Sequence, residues 1–303
     1  MKHTPGGVQM EFSVNWSPQA RDLLRAGKIQ IDRWKVTDWD SMIADARVDA
    51  PVYVHFPLVL GQNRLMNTDW ERVETLLRET STPHVNVHLE PWRTVLGDLP
   101  HEEVMDLCIR EAQEVVRRFG GEYVVLENIP YRREQAARKF ASTVTAEAVT
   151  RVIEEAGCRL LLDTGHARIT ADALGLDVHD YIRALPLARL REVHQVGVIT
   201  FTQAIYDSAR AHAGFEEYYA RYESEYQFGI LMDHFGMESE TDWSLFGWLL
   251  EQIQHGIAAA PRLIAFEYGG TGGPFSWRSD PAVLARDVPR LYAMVHGRVT
   301  EQR

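Results

Sequence analysis

LLLDTGHARI, residues 160–169, drives three leucines straight into Asp163 and sets His166 three positions later. Short apolar runs of this kind fill buried strands. A carboxylate at the end of one is costly to bury unless something neutralises it. The stretch therefore predicts a strand, CRLLLD (158–163), and a neutralising partner for its terminal acid. His166 is placed to meet that partner from the turn that follows.

The strand pattern recurs along the chain. VQMEFSV (8–14), IQIDRWKV (29–36), PVYVHF (51–56), HVNVHL (84–89), EYVVLEN (122–128), LREVHQVG (190–197) and RLIAFEY (262–268) are each short and rich in Val, Ile, Leu or aromatics. Helical patterns separate them. Ser17-Pro18 forms an N-cap and first-turn pair before a segment that ends at Gly27. Asp69-Trp70-Glu71 opens a helix through Arg78, and Ser279-Asp280-Pro281 starts the last one. From His101 to Phe119, apolar residues recur at helical spacing until Gly120-Gly121. Eight strands alternating with helices predict an α/β protein with a parallel sheet, and eight is the number that closes a (β/α)8 TIM barrel. An open doubly wound sheet would need a glycine-rich phosphate turn after the first strand, and the sequence has none there. With no repeat, low-complexity tract or linker, residues 1–303 read as one domain. The stretch between His194 and Asp233 is too long for an ordinary strand-to-helix loop. It predicts an aromatic-rich helical insertion after strand seven, at about 198–230. That insertion is expected to pack its own rings, to wall the barrel mouth, or both.

Composition narrows the class. The 303 residues are 45% hydrophobic and 25% charged, as in ordinary globular domains, and the formal net charge is −11. An acidic balance argues against broad nucleic-acid or membrane-surface binding. No apolar signal core opens the chain, and no window is long and apolar enough to span a bilayer. A reducing cytoplasm is the expected setting. Cys108, in a helix, and Cys158, at a strand start, read as buried free thiols rather than as a disulfide framework.

The acids and histidines gather at one end of the strands. His55 ends strand three and His88 strand four; Glu127 ends strand five and Asp163 strand six; His194 lies near the end of strand seven and Glu267 near the end of strand eight. In a closed barrel those ends converge on one mouth, where active sites are built. His166 sits in the turn after Asp163, and Asp233-His234 can fold back over the mouth from the long excursion. Taken singly, a strand His is a hydrogen-bonded core residue and a strand-end Glu is salt-bridged. Together the nine form a set without cysteine, suited to Zn, Fe or Mn, and large enough for two or three ions bridged by carboxylates. His3, His101, His179, His212, His255 and His296 fall in the tail, helices or surface turns, and His84 opens its strand at the barrel bottom.

The order of these residues resembles the three-metal site of endonuclease IV, in the xylose isomerase-like TIM-barrel superfamily. More of the chain, from about Val52 to Glu267, resembles the multinuclear non-heme iron-dependent oxidative enzymes (MNIO), which modify cysteines of ribosomally made peptides. VYVHFPLVLG is similar to that family's early His strand, VNVHLEP to its Ser-x-His-Leu strand, and VVLENIPY to its Leu-Glu-Asn-Val segment. CRLLLDTGHA and DVHDYIRALPLARLREVHQVG have the spacing of its paired Asp and His strands. Four features depart from the family, the first being that the glycine-rich opening common in it is missing. His166 stands where many members have Asn, Asp233 and His234 are adjacent instead of Asp-x-His, and the aromatic insertion is foreign to it.

The resemblance implies ligation by His55, His88, Glu127, Asp163, His194 and Glu267, with Glu127, Asp163 and Glu267 as the catalytic carboxylates. It implies two or three ions, iron being expected and zinc or manganese the alternatives. It also implies O2 chemistry on a peptide cysteine or small thiol, and a protein partner that presents the peptide. Tyr131, Arg168, Arg93 and the aromatics of 215–228 are the substrate-side candidates, Arg168 having a salt bridge at the helix start as its ordinary reading. A phosphodiester hydrolase of the endonuclease IV type and a single-metal sugar isomerase or epimerase are the competing activities. The glycine-rich YGGTGGPFSW (268–277) is expected to form a mouth loop.

Overall fold

In the computed structural model, which describes residues 10–212, 215–222, 227–270 and 278–297, parallel strands wrap around a common interior. The strands are β1 (Glu11–Asn15), β2 (Arg33–Val36), β3 (Val52–Val54), β4 (Val59–Leu60), β5 (Val85–Leu89), β6 (Val124–Glu127), β7 (Arg159–Asp163), β8 (Leu190–Gln195), β9 (Gly197–Thr200), β10 (Leu231–Phe235) and β11 (Leu263–Phe266). The sheet runs β3-β2-β1-β11-β8-β7-β6-β5-β4. Its two ends are one piece of chain: β3 pairs with β2 through Trp34 and Val52, and a few residues later β4 pairs with β5 through Val59 and His88. The predicted strand 51–56 is thus β3 alone, and a second short strand beyond its predicted end, β4, closes the circuit of the barrel with it. The Asn86 amide stitches the seam, accepting from Phe56 N and donating to Phe56 O.

Side chains alternate across each strand. One set faces the helices and builds the main core: Phe12, Val14, Trp34, Val36, Val85, Val87, Leu126, Leu160, Leu162, Val193, Ile264 and Phe266 belong to it. The other set faces the barrel axis. There Tyr53, Leu263 and Ala265 form an apolar cluster, and buried polar groups, Ser13, Arg33, His84, Asn86 and Glu192, share the interior.

The helix ends follow the local chemistry. Ser17 Oγ accepts from Ala20 N at 3.1 Å and caps Pro18–Arg25; Asp69 caps Trp70–Thr80; Asp280 caps Pro281–Val295. The long helix spans His101–Phe119. Between β8 and β11 the chain is not purely helical. β9 and β10 pair antiparallel and bracket the helices Gln203–Ala209 and Phe215–Tyr222. Phe201, Tyr206, Phe215, Tyr219 and Phe228 pack on one another there. Among the described residues, no helix is long and apolar enough to cross a membrane.

Candidate metal centre

All nine sequence candidates come to the mouth of the barrel. A cavity of about 250 Å³ opens there, lined among others by Lys35, His55, His88, Glu127, His166, His234 and Glu267. Asp163, His194 and Asp233 lie against these residues, buried.

Three groups of donors can be drawn. In the first, the Nε2 atoms of His55 and His88 are 3.1 Å apart and lie 3.5 and 3.2 Å from Glu127 Oε2. His88 Nδ1 donates to Leu58 O at 2.9 Å, which leaves the Nε2 lone pair facing Glu127. The second gathers His166, Asp233 and His234. His166 Nδ1 donates to Asn128 O at 2.8 Å, and its Nε2 faces Asp233 Oδ2 at 3.3 Å. The third gathers Asp163, His194 and Glu267, with His194 Nδ1 3.3 Å from Glu267 Oε1 and 3.9 Å from Asp163 Oδ2. Glu127 Oε1 reaches toward His166 and His194, at 3.3 and 3.8 Å, and so links the groups.

Asp163 does two jobs. Its Oδ1 accepts from His166 N at 2.7 Å and caps the helix Thr164–Leu174. Its Oδ2 is buried with no hydrogen-bond partner, and so is Glu127 Oε2. The Asn128 side chain fixes the turn, accepting from Asp163 N and donating to Asp163 O.

Adjacent residues on a regular strand point to opposite faces. Asp233 and His234 reach the same site because β10 is bulged between Met232 and Phe235 and His234 is left-handed, with φ of 62°. His234 Nδ1 then lies 3.2 Å from Glu267 O.

The electrostatics are those of crowded, water-poor acids and imidazoles. Burial, then Lys35, pushes the His55 imidazole well below its ordinary value, and burial takes His234 down to about 3. Burial would lower His166 too, but Asp163 and the Glu127 hydrogen bond outweigh it and lift that ring to about 9. Glu127 is held well below the carboxylate range, against burial, by His88 and by hydrogen bonds to His166 and His194. Burial raises Asp163. His234 and Arg132 hold Asp233 low despite its burial. Such a set of mixed imidazole and carboxylate donors, two of its buried oxygens unpartnered, fits divalent first-row metals.

The substrate-side candidates lie elsewhere. Arg168 ion-pairs with Asp242. Arg93 pairs with Asp98 and lies over the Phe140 ring. Tyr131 is buried with Ile129 and Val144. None of the three lines the cavity. Its apolar wall is instead Trp16, Val36, Trp39 and Met42. From the glycine-rich mouth segment, Gly269 and Gly270 line it, while 271–277 lie outside the described residues.

Sequence reasoning missed two charged residues. Lys35, on β2, is buried; its ammonium contacts Glu267 Oε1 and lies 3.0 Å from His194 Nε2, and burial brings it down to about 8. Glu192, two residues before His194 on β8, accepts from Tyr53 Oη and from His194 Nε2, at 3.0 and 2.9 Å, and pairs with His84. Period-two alternation was the available signal: 33 and 35, like 192 and 194, share the inward face.

Fold and site together define a xylose isomerase-like barrel whose mouth is lined with His, Asp and Glu. The family described as "RiPP precursor modification enzyme MbnB/TglH/ChrH", the MNIO enzymes, matches residues 33–232, and the chain belongs to it. A UPF0276 protein of Acaryochloris marina is 29% identical over 161 residues, 50% of this chain and 56% of that protein. One from Pseudomonas aeruginosa is 33% identical over 89 residues, 29% of this chain and 28% of that one. The chain therefore spans about half or less of the length of these curated relatives. Among solved structures, D-psicose 3-epimerase in the presence of D-fructose aligns with a TM-score of 0.53 at 13% identity, covering 95% of this chain and 100% of the other. The structure of AsfvAP:AG aligns with a TM-score of 0.50 at 12% identity, covering 96% and 99%. At these identities the likeness is one of fold.

Proposed function

We propose that this protein is a multinuclear, iron-dependent oxidative enzyme that acts with O2 on a cysteine thiol of a precursor peptide. The observation that supports it best is the convergence of His55, His88, Glu127, Asp163, His166, His194, Asp233, His234 and Glu267 on one mouth, with Glu127 Oε2 and Asp163 Oδ2 buried and unpartnered. Family membership supports the peptide as substrate. His55, His88 and Glu127 would hold one ion, and His166, Asp233 and His234 a second, with the Glu127 and Asp163 carboxylates beside both groups. Bound iron supplies the one-electron steps that connect a thiol, which is oxidised, to O2, which is reduced.

The protein's own groups do the rest. Hydrogen bonds from Nδ1 to Leu58 O and Asn128 O orient the rings of His88 and His166, so that each turns Nε2 inward, where a metal ion would displace any proton on it. Trp16, Trp39 and Met42 form an apolar wall beside the reacting position, which keeps water out and receives the residues flanking the cysteine. A partner that presents the peptide, and a reducing cytoplasmic setting that keeps Cys108 and Cys158 as thiols, complete the reading.

Metal analysis of anaerobically purified protein, with an electronic spectrum before and after air, tests it. Two or more irons per chain and a spectrum that changes with O2 are expected. Active protein that retains zinc alone, or one ion per chain, contradicts it. Tight binding to abasic DNA in a mobility-shift assay would favour a phosphodiester hydrolase instead.

A further inference from the structure

We propose that Lys35 fills one cation position of this centre with its own ammonium, so that the chain holds two metal ions where its donor groups outline three. The proposal rests on the metal-centre reading above. Of five overlapping donor groups, three share no residue and together take up all nine candidates, and Lys35 enters the third of these, Asp163, His194 and Glu267. Its Nζ contacts Glu267 Oε1 and stands 3.0 and 3.5 Å from the two ring nitrogens of His194. Among the described residues, no hydrogen bond or ion pair from a lysine or arginine reaches the first group. In the second, Arg132 Nη2 stays 3.8 Å from Asp233 Oδ1, and Arg278 donates to the Asp233 backbone carbonyl.

The lysine cannot withdraw cheaply. β2 is paired on both sides, with Lys35 opposite Asn15 on β1 and Tyr53 on β3, so the residue is committed to the barrel interior. Its side chain is only 5% exposed. A dication seated between His194 and Glu267 would meet a positive charge bonded to one of its own ligands, with little water to screen the two.

Charge balance points the same way. Glu127, Asp163, Asp233 and Glu267 bring four carboxylates, enough for two divalent ions. Below them, buried Glu192 accepts from His194 Nε2 and Tyr53 Oη and pairs with His84, while Lys35 already takes up one of the four carboxylates, Glu267. A third dication would leave buried positive charge uncompensated. With His194 Nε2 donating to Glu192, the Nδ1 lone pair faces Glu267 Oε1 at 3.3 Å, with the ammonium 3.5 Å away.

The test is a metal count. Metal-free protein is loaded anaerobically with excess Fe(II), desalted and assayed for iron per chain, beside Lys35→Arg, Lys35→Met and Lys35→Gln. Wild type and Lys35→Arg should hold two ions. Lys35→Met and Lys35→Gln should hold three, with anomalous scattering at the iron edge placing the extra ion beside His194 and Glu267. Three ions in wild type overturn the proposal. So do two ions in a Met or Gln variant whose circular dichroism matches wild type. Fewer than two in wild type overturn the multinuclear reading itself, and the role of Lys35 with it.

Discussion

Asp163 carries a helix cap on one oxygen and an unpartnered lone pair on the other. Substitution can separate these jobs. Asn caps a helix about as well as Asp, so Asp163→Asn should leave the thermal stability of the metal-free protein unchanged or higher, since burial already disfavours the charge. It should still weaken metal retention, by about 100-fold or more if loss of a ligand exceeds the ~10–100-fold typical of an outer partner. Equilibrium dialysis against a chelator measures this; undiminished retention would remove Asp163 from the ligand set. Asn128→Ala acts one step out, on the turn that holds Asp163 and on the carbonyl that receives the His166 proton. The expected loss in metal affinity is about 10–100-fold, with every ligand still present.

At the scale of elements, the β9–β10 hairpin delivers two ligand candidates, and its geometry depends on a glycine. A Cβ at Gly197 would lie 1.6 Å from the backbone oxygen of Gly236. Gly197→Ala must therefore separate the strands, and Asp233 and His234 move with β10. The far-ultraviolet circular dichroism should stay near wild type, because the barrel strands do not involve this pair, while about one ion per chain is lost from the His166 group. Retention of the full metal content would show that the hairpin does not hold the ligands. Away from the site, Ser17→Ala removes the cap of Pro18–Arg25 and should cost about 1 kcal/mol in chemical unfolding with metal content unchanged.

The whole molecule turns a parallel barrel into a container for charge. The apolar core lies between strands and helices, and the axis is lined with Arg33, Lys35, His84, Glu192 and the candidate ligands of the mouth. Cys108 and Cys158 sit in the outer core, each pushed up to about 12 by burial. A thiol held neutral in the fold but free to ionise once unfolded contributes no loss below about pH 9, and its contribution declines as pH rises from there toward 12. Stability should fall over that alkaline window, and less steeply in Cys108→Ala/Cys158→Ala. Both thiols should resist a thiol reagent at pH 8 until denaturant unfolds the chain; fast labelling of the native protein would contradict their burial.

Much of this could be read without coordinates. Alternation of short Val/Ile/Leu runs with capped helices predicted the barrel, because strand and helix periods are local properties of the chain. Acids and histidines ending apolar runs predicted the mouth, because a parallel barrel brings strand ends of one polarity together. Other features belong to tertiary structure alone. A short strand β4 follows β3 beyond the predicted end of strand three, because closing the circuit requires pairing with two different neighbours. Arg93, Arg168 and Tyr131 turn to partners outside the cavity, which sequence distance does not reveal. His234 joins Asp233 through a bulge that no strand alternation predicts. That Asp163, whose leucines opened the reading, ends a buried strand beside His166 could be read from sequence. That a lysine from β2 reaches the same cluster depended on the barrel closing, since only closure brings Lys35 to His194 across 159 positions of chain.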